Sequence, residues 1–181
     1  MSADENKAQF RRVMDMINTG NLDKADELIA SDYVYHSPGS PEMRGPEGFK
    51  QLISMYRTAF PDLGMVMDDM LAEGDKVAVR WTATGTHRGD LMGIPATGKR
   101  ISTSGLIISR FAGGKVVEDN EVIDTLGMMQ QLPQCLGCRR HFVPQAEGDY
   151  ACLPCRGVTF GEPLTEQDRR VADALLRQVF G

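Results

Sequence analysis

The chain has 181 residues, 41% hydrophobic and 25% charged, with a formal net charge of −5. No apolar run approaches ~18 residues, which excludes a membrane-spanning helix. The N-terminal MSADENKAQF lacks the basic-then-apolar pattern of an export signal, so a cytoplasmic protein with reduced thiols is expected.

Residues 4–18 place Phe10, Val13, Met14 and Ile17 at helical spacing, and Gly20 ends that helix. Residues 21–30 predict a second short helix with Asn21 as N-cap and Leu22, Ala25, Leu28 and Ile29 on its apolar side. DYVYHSP is a short extended piece stopped by Pro38, and GSPEMRGP is a loop by its Gly and Pro content. Residues 46–60 start a third helix on Pro46 and bury Phe49, Leu52, Ile53, Tyr56 and Phe60. The apolar period then changes from helical to alternating. MVMDDMLAEGDKVAVRWTATGTH predicts two strands joined at EGD, with Val77, Val79, Trp81 and Ala83 on one face. After the loop LMGIPATG, KRISTSGLIISRF predicts a third long strand, AGGK a tight turn and KVVEDNEVID a fourth strand. Helices followed by a meander predict an α+β domain, its helices packed on one face of a curved antiparallel sheet.

Gln130 to Pro133 is expected to be a linker, dividing the pocket domain at 1–132 from a module at 133–161 and a C-terminal amphipathic helix at 162–181. All four cysteines, Cys135, Cys138, Cys152 and Cys155, fall in that module with spacing C-x2-C-x13-C-x2-C. Two C-x-x-C turns aim four thiolates at one centre, which suits tetrahedral zinc in a closed structural site. Disulfides are disfavoured without an export signal, and redox chemistry without a βαβ pattern around either pair. The segment therefore predicts a zinc ribbon that staples a module too small for its own core. The final helix carries Val171, Ala172, Leu175, Leu176 and Val179 as one apolar stripe. Beyond Pro133 six arginines balance six acidic residues, so the acidic excess lies in the front section. That distribution makes nucleic acid an unlikely partner.

Asp119 and Glu121 sit two apart on the last strand, so they share a face at about 7 Å. If that face lines a hollow, mutual repulsion and poor hydration would raise a carboxyl pKa toward neutrality, as a general acid/base requires. The alternative is a wet face with two ordinary surface charges.

DYVYHSPG, RGPEGFKQLISMYRTAFPDL, AEGDKVAVRWTATGTHRGDLMGIPATGKRI and SRFAGGKVVEDNEVIDTLGMMQQL resemble the SnoaL-like polyketide cyclase (ester cyclase) family of the nuclear-transport-factor-two-like superfamily. The resemblance covers roughly residues 5–132. It implies a cone-shaped domain with an apolar pocket between a long helix and a curved sheet. It also implies a homodimer through the outer sheet face, and ring closure by intramolecular aldol chemistry without an organic cofactor. By the same resemblance Glu121 takes the place of the family's acid/base residue, and Asp119 that of a histidine two residues earlier. Asn120 replaces the family tryptophan on that strand, and Gly105-Leu106-Ile107 is bare where those cyclases place polar groups. His36, in an H-S-P motif, is expected to assist catalysis, and Tyr56, Trp81, His87 and Ile107 to contact the ligand. Two functions follow as expectations: a cofactor-free acid/base enzyme on a small, apolar, oxygenated substrate, or a non-catalytic binding protein whose ribbon contacts another protein.

Overall fold

The computed structural model describes residues 2–92, 94 and 96–132. The expected zinc ribbon, its four cysteines and the C-terminal helix lie outside the described residues.

Helix α1, Ala3–Thr19, begins at a capping box: the Ser2 hydroxyl accepts from the Glu5 N–H while the Glu5 carboxylate accepts from the Ser2 N–H. Its predicted stripe of Phe10, Val13, Met14 and Ile17 is buried. Each such side chain is worth roughly 1.5–3 kcal/mol over its exposed state. The predicted second helix is shorter than expected. A 3-10 turn, Leu22–Lys24, leads into α2, Ala25–Leu28, and Ile29 already opens strand β1, Ile29–His36. The apolar pair Ile29-Ala30 fits a helix end and a buried strand start equally well, and its burial on the sheet decides for the strand. Two residues of the predicted loop, Met43–Arg44, form β2 beside β1. Helix α3, Gly45–Ala59, carries Pro46 in its first turn and buries Phe49, Leu52 and Ile53.

The sheet is six-stranded, in the order β2-β1-β6-β5-β4-β3. Strands β3 (Gly64–Glu73), β4 (Lys76–Thr86), β5 (Arg100–Ala112) and β6 (Lys115–Ile123) form the predicted antiparallel meander. Gly113 and Gly114 make the β5–β6 turn, both at positive φ of 56° and 83°, which a two-residue hairpin turn requires. The sheet as a whole corrects the expectation of an antiparallel one: β1 lies parallel to β6, so the sheet is mixed. An alternating pattern reveals a strand but carries no information about its direction. Register shifts between Met67 and Asp69 and between Arg110 and Phe111 add local bend and twist, and α1 and α3 pack on the concave face.

The expected linker at Gln130 is the end of a further helix, α4, Thr125–Gln131, capped by the Asp124 carboxylate, which accepts from the Gly127 N–H at 2.8 Å. A helix this short, with a glycine inside it, has too little periodicity to see. Its Met128 joins Phe60, Leu91, Ile94, Ile101 and Leu132 in a second apolar cluster. Among the described residues no helix is long and apolar enough to cross a membrane. On the convex side Leu106, Ile108 and Val122 stand 48%, 40% and 60% exposed, an apolar strip in the middle of the sheet.

Candidate active site

The concave face of the sheet and helices α1 and α3 enclose a hollow that measures about 980 Å³ with its open mouth and adjoining solvent space. Its wall is apolar for most of its extent, with Phe10, Phe49, Leu52, Ile53 and Met65 among the contributors. The polar groups are concentrated on one strip of the sheet.

That strip follows from strand register. Three adjacent pairs bring Gly105 against Ile123, Ile107 against Glu121 and Ser109 against Asp119, all on the inward face. On the other side of β6, parallel β1 sets Tyr35 opposite Asp119, and Tyr33 lies two residues back on the same face. Tyr33 donates its hydroxyl hydrogen to Asp119 Oδ2 at 2.8 Å, and the Ser109 hydroxyl donates to Asp119 Oδ1. The Tyr35 hydroxyl donates to Glu121 Oε2 at 2.6 Å. Two phenol–carboxylate pairs thus stand side by side. Each hydrogen bond to the charged carboxylate is worth about 1.5–3 kcal/mol.

The electrostatics follow from burial. Asp119 is 5% exposed. Burial pushes its carboxyl up to about 6, against the bonds from Ser109 and Tyr33 and with the help of the Glu118 charge. Glu121 is half-buried as a whole residue, yet its carboxyl end lies deep among packed side chains. Burial pushes it up to about 7; the Tyr35 bond opposes the rise, the Asp119 charge adds to it, and the Trp81 N–H pulls weakly downward. The phenols of Tyr33 and Tyr35 are driven well above the usual range, first by burial and then by the carboxylates they face, so both remain hydrogen-bond donors. A carboxyl poised near neutrality in a poorly hydrated hollow can take a proton from a substrate and return it. The two acids interact, so their protons leave as those of a pair.

Of the residues expected from sequence, Asp119, Glu121, Tyr56, Trp81 and Ile107 all line the hollow. The two histidines stand elsewhere. His36 sits on the outer side of β1, where its Nδ1 lies 3.5 Å from Glu42 and its Nε2 3.8 Å from Glu118. It borders a shallow groove with Leu106, Ile108 and Val122. Strand alternation explains this: Tyr33 and Tyr35 point inward, so His36 points out. His87 is fully buried but behind the wall, its ring 5.3 Å from that of Phe60. Its Nδ1 accepts the Thr97 N–H at 3.2 Å, which anchors the loop after β4. Burial lowers its pKa, opposed by the Asp90 charge, so the ring is held neutral. Neither ring belongs to the polar strip.

Tyr33, Tyr35 and Ser109 were missed by sequence reasoning. The signal available was the alternation Tyr-Val-Tyr in DYVYHS, which puts both phenols on one face. Nothing in the chain says that this face meets β6, 86 residues away. Among the described residues no group of three or more His, Cys, Asp and Glu could hold a metal ion.

The family model of SnoaL-like polyketide cyclases matches residues 8–132. An aklanonic acid methyl ester cyclase from Streptomyces sp. (strain C5) is 33% identical over 127 residues, covering 67% of this chain and 78% of that protein. The nogalonic acid methyl ester cyclase of Streptomyces nogalater is 31% identical, covering 64% of this chain and 87% of that one. Among solved structures, AclR from Streptomyces galilaeus, described as a candidate hydroxylase, superposes with a TM-score of 0.65 at 33% identity. That match covers 72% of this chain and 97% of AclR. TsrD from Streptomyces laurentii gives 0.66 at 27% identity, covering 73% and 97%. One fold thus carries relatives with different names for their chemistry, so the reaction has to be argued from the site.

Proposed function

The chain belongs to the family of SnoaL-like polyketide cyclases, and from that premise we propose that it is a cofactor-free cyclase closing a ring in a small, largely apolar polyketide ester by intramolecular aldol addition. The observation that supports this most is Glu121: one carboxyl, pushed up to about 7, set in an apolar hollow beside a phenol that stays protonated. As carboxylate, Glu121 removes a proton from a carbon next to a carbonyl. The enolate carbon attacks a second carbonyl of the same molecule, forming the new carbon–carbon bond. The resulting alkoxide takes the proton back from Glu121. Atoms and charge balance without any further reactant, and the product is an isomer of the substrate. Asp119, with both oxygens engaged by Ser109 and Tyr33, holds the strip in place, and its charge helps to keep the Glu121 carboxyl raised.

The test is incubation of the purified protein with aklanonic acid methyl ester and with nogalonic acid methyl ester. Conversion to a product of unchanged mass and new retention time is expected. Saturable binding of either ester with no isomer formed would replace this reading with that of a non-catalytic binding protein.

Two features outside the hollow complete the proposal. The exposed strip of Leu106, Ile108 and Val122 is the surface for a homodimer contact. The four cysteines, by spacing alone, hold one structural zinc per chain, in a module suited to a protein partner. Elemental analysis of protein purified under reducing conditions is expected to give one zinc per chain; a value near zero would remove the ribbon from the account.

A further inference from the structure

Trp81 carries an unsolved polar group. Its side chain is 4% exposed and lines the hollow, and its indole Nε1 is buried with no hydrogen-bond partner. An orphaned buried donor costs roughly 1–3 kcal/mol, and few survive in folded proteins. The indole N–H is close enough to Glu121 to lower that carboxyl slightly, but it makes no hydrogen bond of ordinary geometry to it or to any other group.

The strand beneath is shaped to keep it there. Trp81 pairs with Gly105 across β4 and β5. A Cβ on Gly105 would stand 2.7 Å from indole Cε2, the carbon bonded to Nε1, and 2.7 Å from the Val122 carbonyl oxygen. Glycine inside a strand loses packing and costs entropy. Here it lets the Nε1 side of the indole approach the backbone where a side chain would stand. The bare stretch at Gly105 is therefore the bed of the one tryptophan in the chain.

We propose that the Trp81 N–H is the donor for a carbonyl oxygen of the ligand, and that the hollow takes apolar ketones with that oxygen on Trp81 and the adjacent carbon facing Glu121. This deepens the cyclase reading: the oxygen held by Trp81 becomes the enolate oxygen when Glu121 takes the proton. The indole N–H then acts as a fixed dipole aimed where charge develops. It also accounts for an arrangement that otherwise only destabilises, an unpaired donor above a glycine in mid-strand.

The experiment uses binding, so that its result is independent of turnover. Calorimetric affinities are measured for 1-tetralone and for tetralin, which has the same ring skeleton without the carbonyl. They are compared in the wild type, in Trp81→Phe and in Tyr35→Phe. Because the chain has one tryptophan, the protein can also be made with 3-benzothienylalanine at that position, replacing the N–H by sulfur at nearly constant shape. Relative to the wild type, the ratio of ketone to hydrocarbon affinity is expected to fall about five- to tenfold in both Trp81 variants, in line with one lost hydrogen bond. An unchanged ratio in the benzothienyl protein would overturn the proposal, as would a fall confined to Tyr35→Phe or a wild type that binds no tetralone. A protein that keeps the ketone preference but cyclises nothing would sink the cyclase reading and leave this one standing.

Discussion

Glu121→Gln is expected to cut turnover about 10²–10⁴-fold, the usual contribution of a positioned general acid/base, with little change in ligand affinity. The larger effect belongs here rather than at Asp119 for a geometric reason. Both Asp119 oxygens are bound by hydroxyls, whereas only Oε2 of Glu121 is held by a phenol. Wild-type kcat/KM should rise with pH through about 7 as the carboxyl ionises, and that limb should vanish in the variant. Stability should move the opposite way. The folded pKa lies above the ordinary carboxylate value of 4.5, so the unfolded chain loses its proton first as pH rises. Between about 4.5 and 7 the ionisation of Glu121 therefore costs stability, and above 7 the cost is constant. Gln escapes this, so Glu121→Gln should melt above the wild type at pH 8 and level with it at pH 4. A variant retaining activity within threefold of wild type would dismiss Glu121 as the base.

Gly105→Ala should destabilise the domain by about 1–3 kcal/mol, the usual cost of inserting a methyl into a packed site. The added carbon meets an aromatic ring on one side and the Val122 carbonyl on the other. The backbone cannot yield without breaking pairing on β6, where Gly105 faces Ile123, so the indole must lift. The single tryptophan reports the move directly: its emission should shift to the red as the ring leaves a site now 4% exposed. Unfolding in urea gives the stability term at the same time. Wild-type emission together with a wild-type midpoint would mean that the strand accommodates a side chain there, and that the close approach of Trp81 is not structural.

Asp119, Glu121, Trp81, Tyr56 and Ile107, drawn from the resemblance and the alternating patterns, all line one hollow. The two histidines stand off that wall, and for a specific reason. His36 lies in a motif beside the site, but one step along a strand reverses the face, and Tyr35 rather than His36 takes the inner position. His87 sits at a strand end where it can turn toward the hollow or the loop, and the loop carries its partner, Thr97.

By itself the sequence determined α1 and α3, the presence of β1 and of β3 to β6, the apolar face of β4, and two acids on one face of β6. All of these depend on spacing within a single segment, where a period of 3.6 or 2 converts residue order into a face. Only the tertiary structure decided that β1 runs parallel to β6, that Tyr33 and Tyr35 hold the two acids, that Ser109 joins them, and that Gly105 makes the bed for Trp81. Each of these is a contact between strands whose pairing, direction and register arise from the packing of the whole sheet against α1 and α3. Local periodicity contains no term for such pairing. The same holds for the acid strength of Glu121: the side chain is written in the sequence, but the displacement of its titration comes from burial, which is a property of everything packed around it.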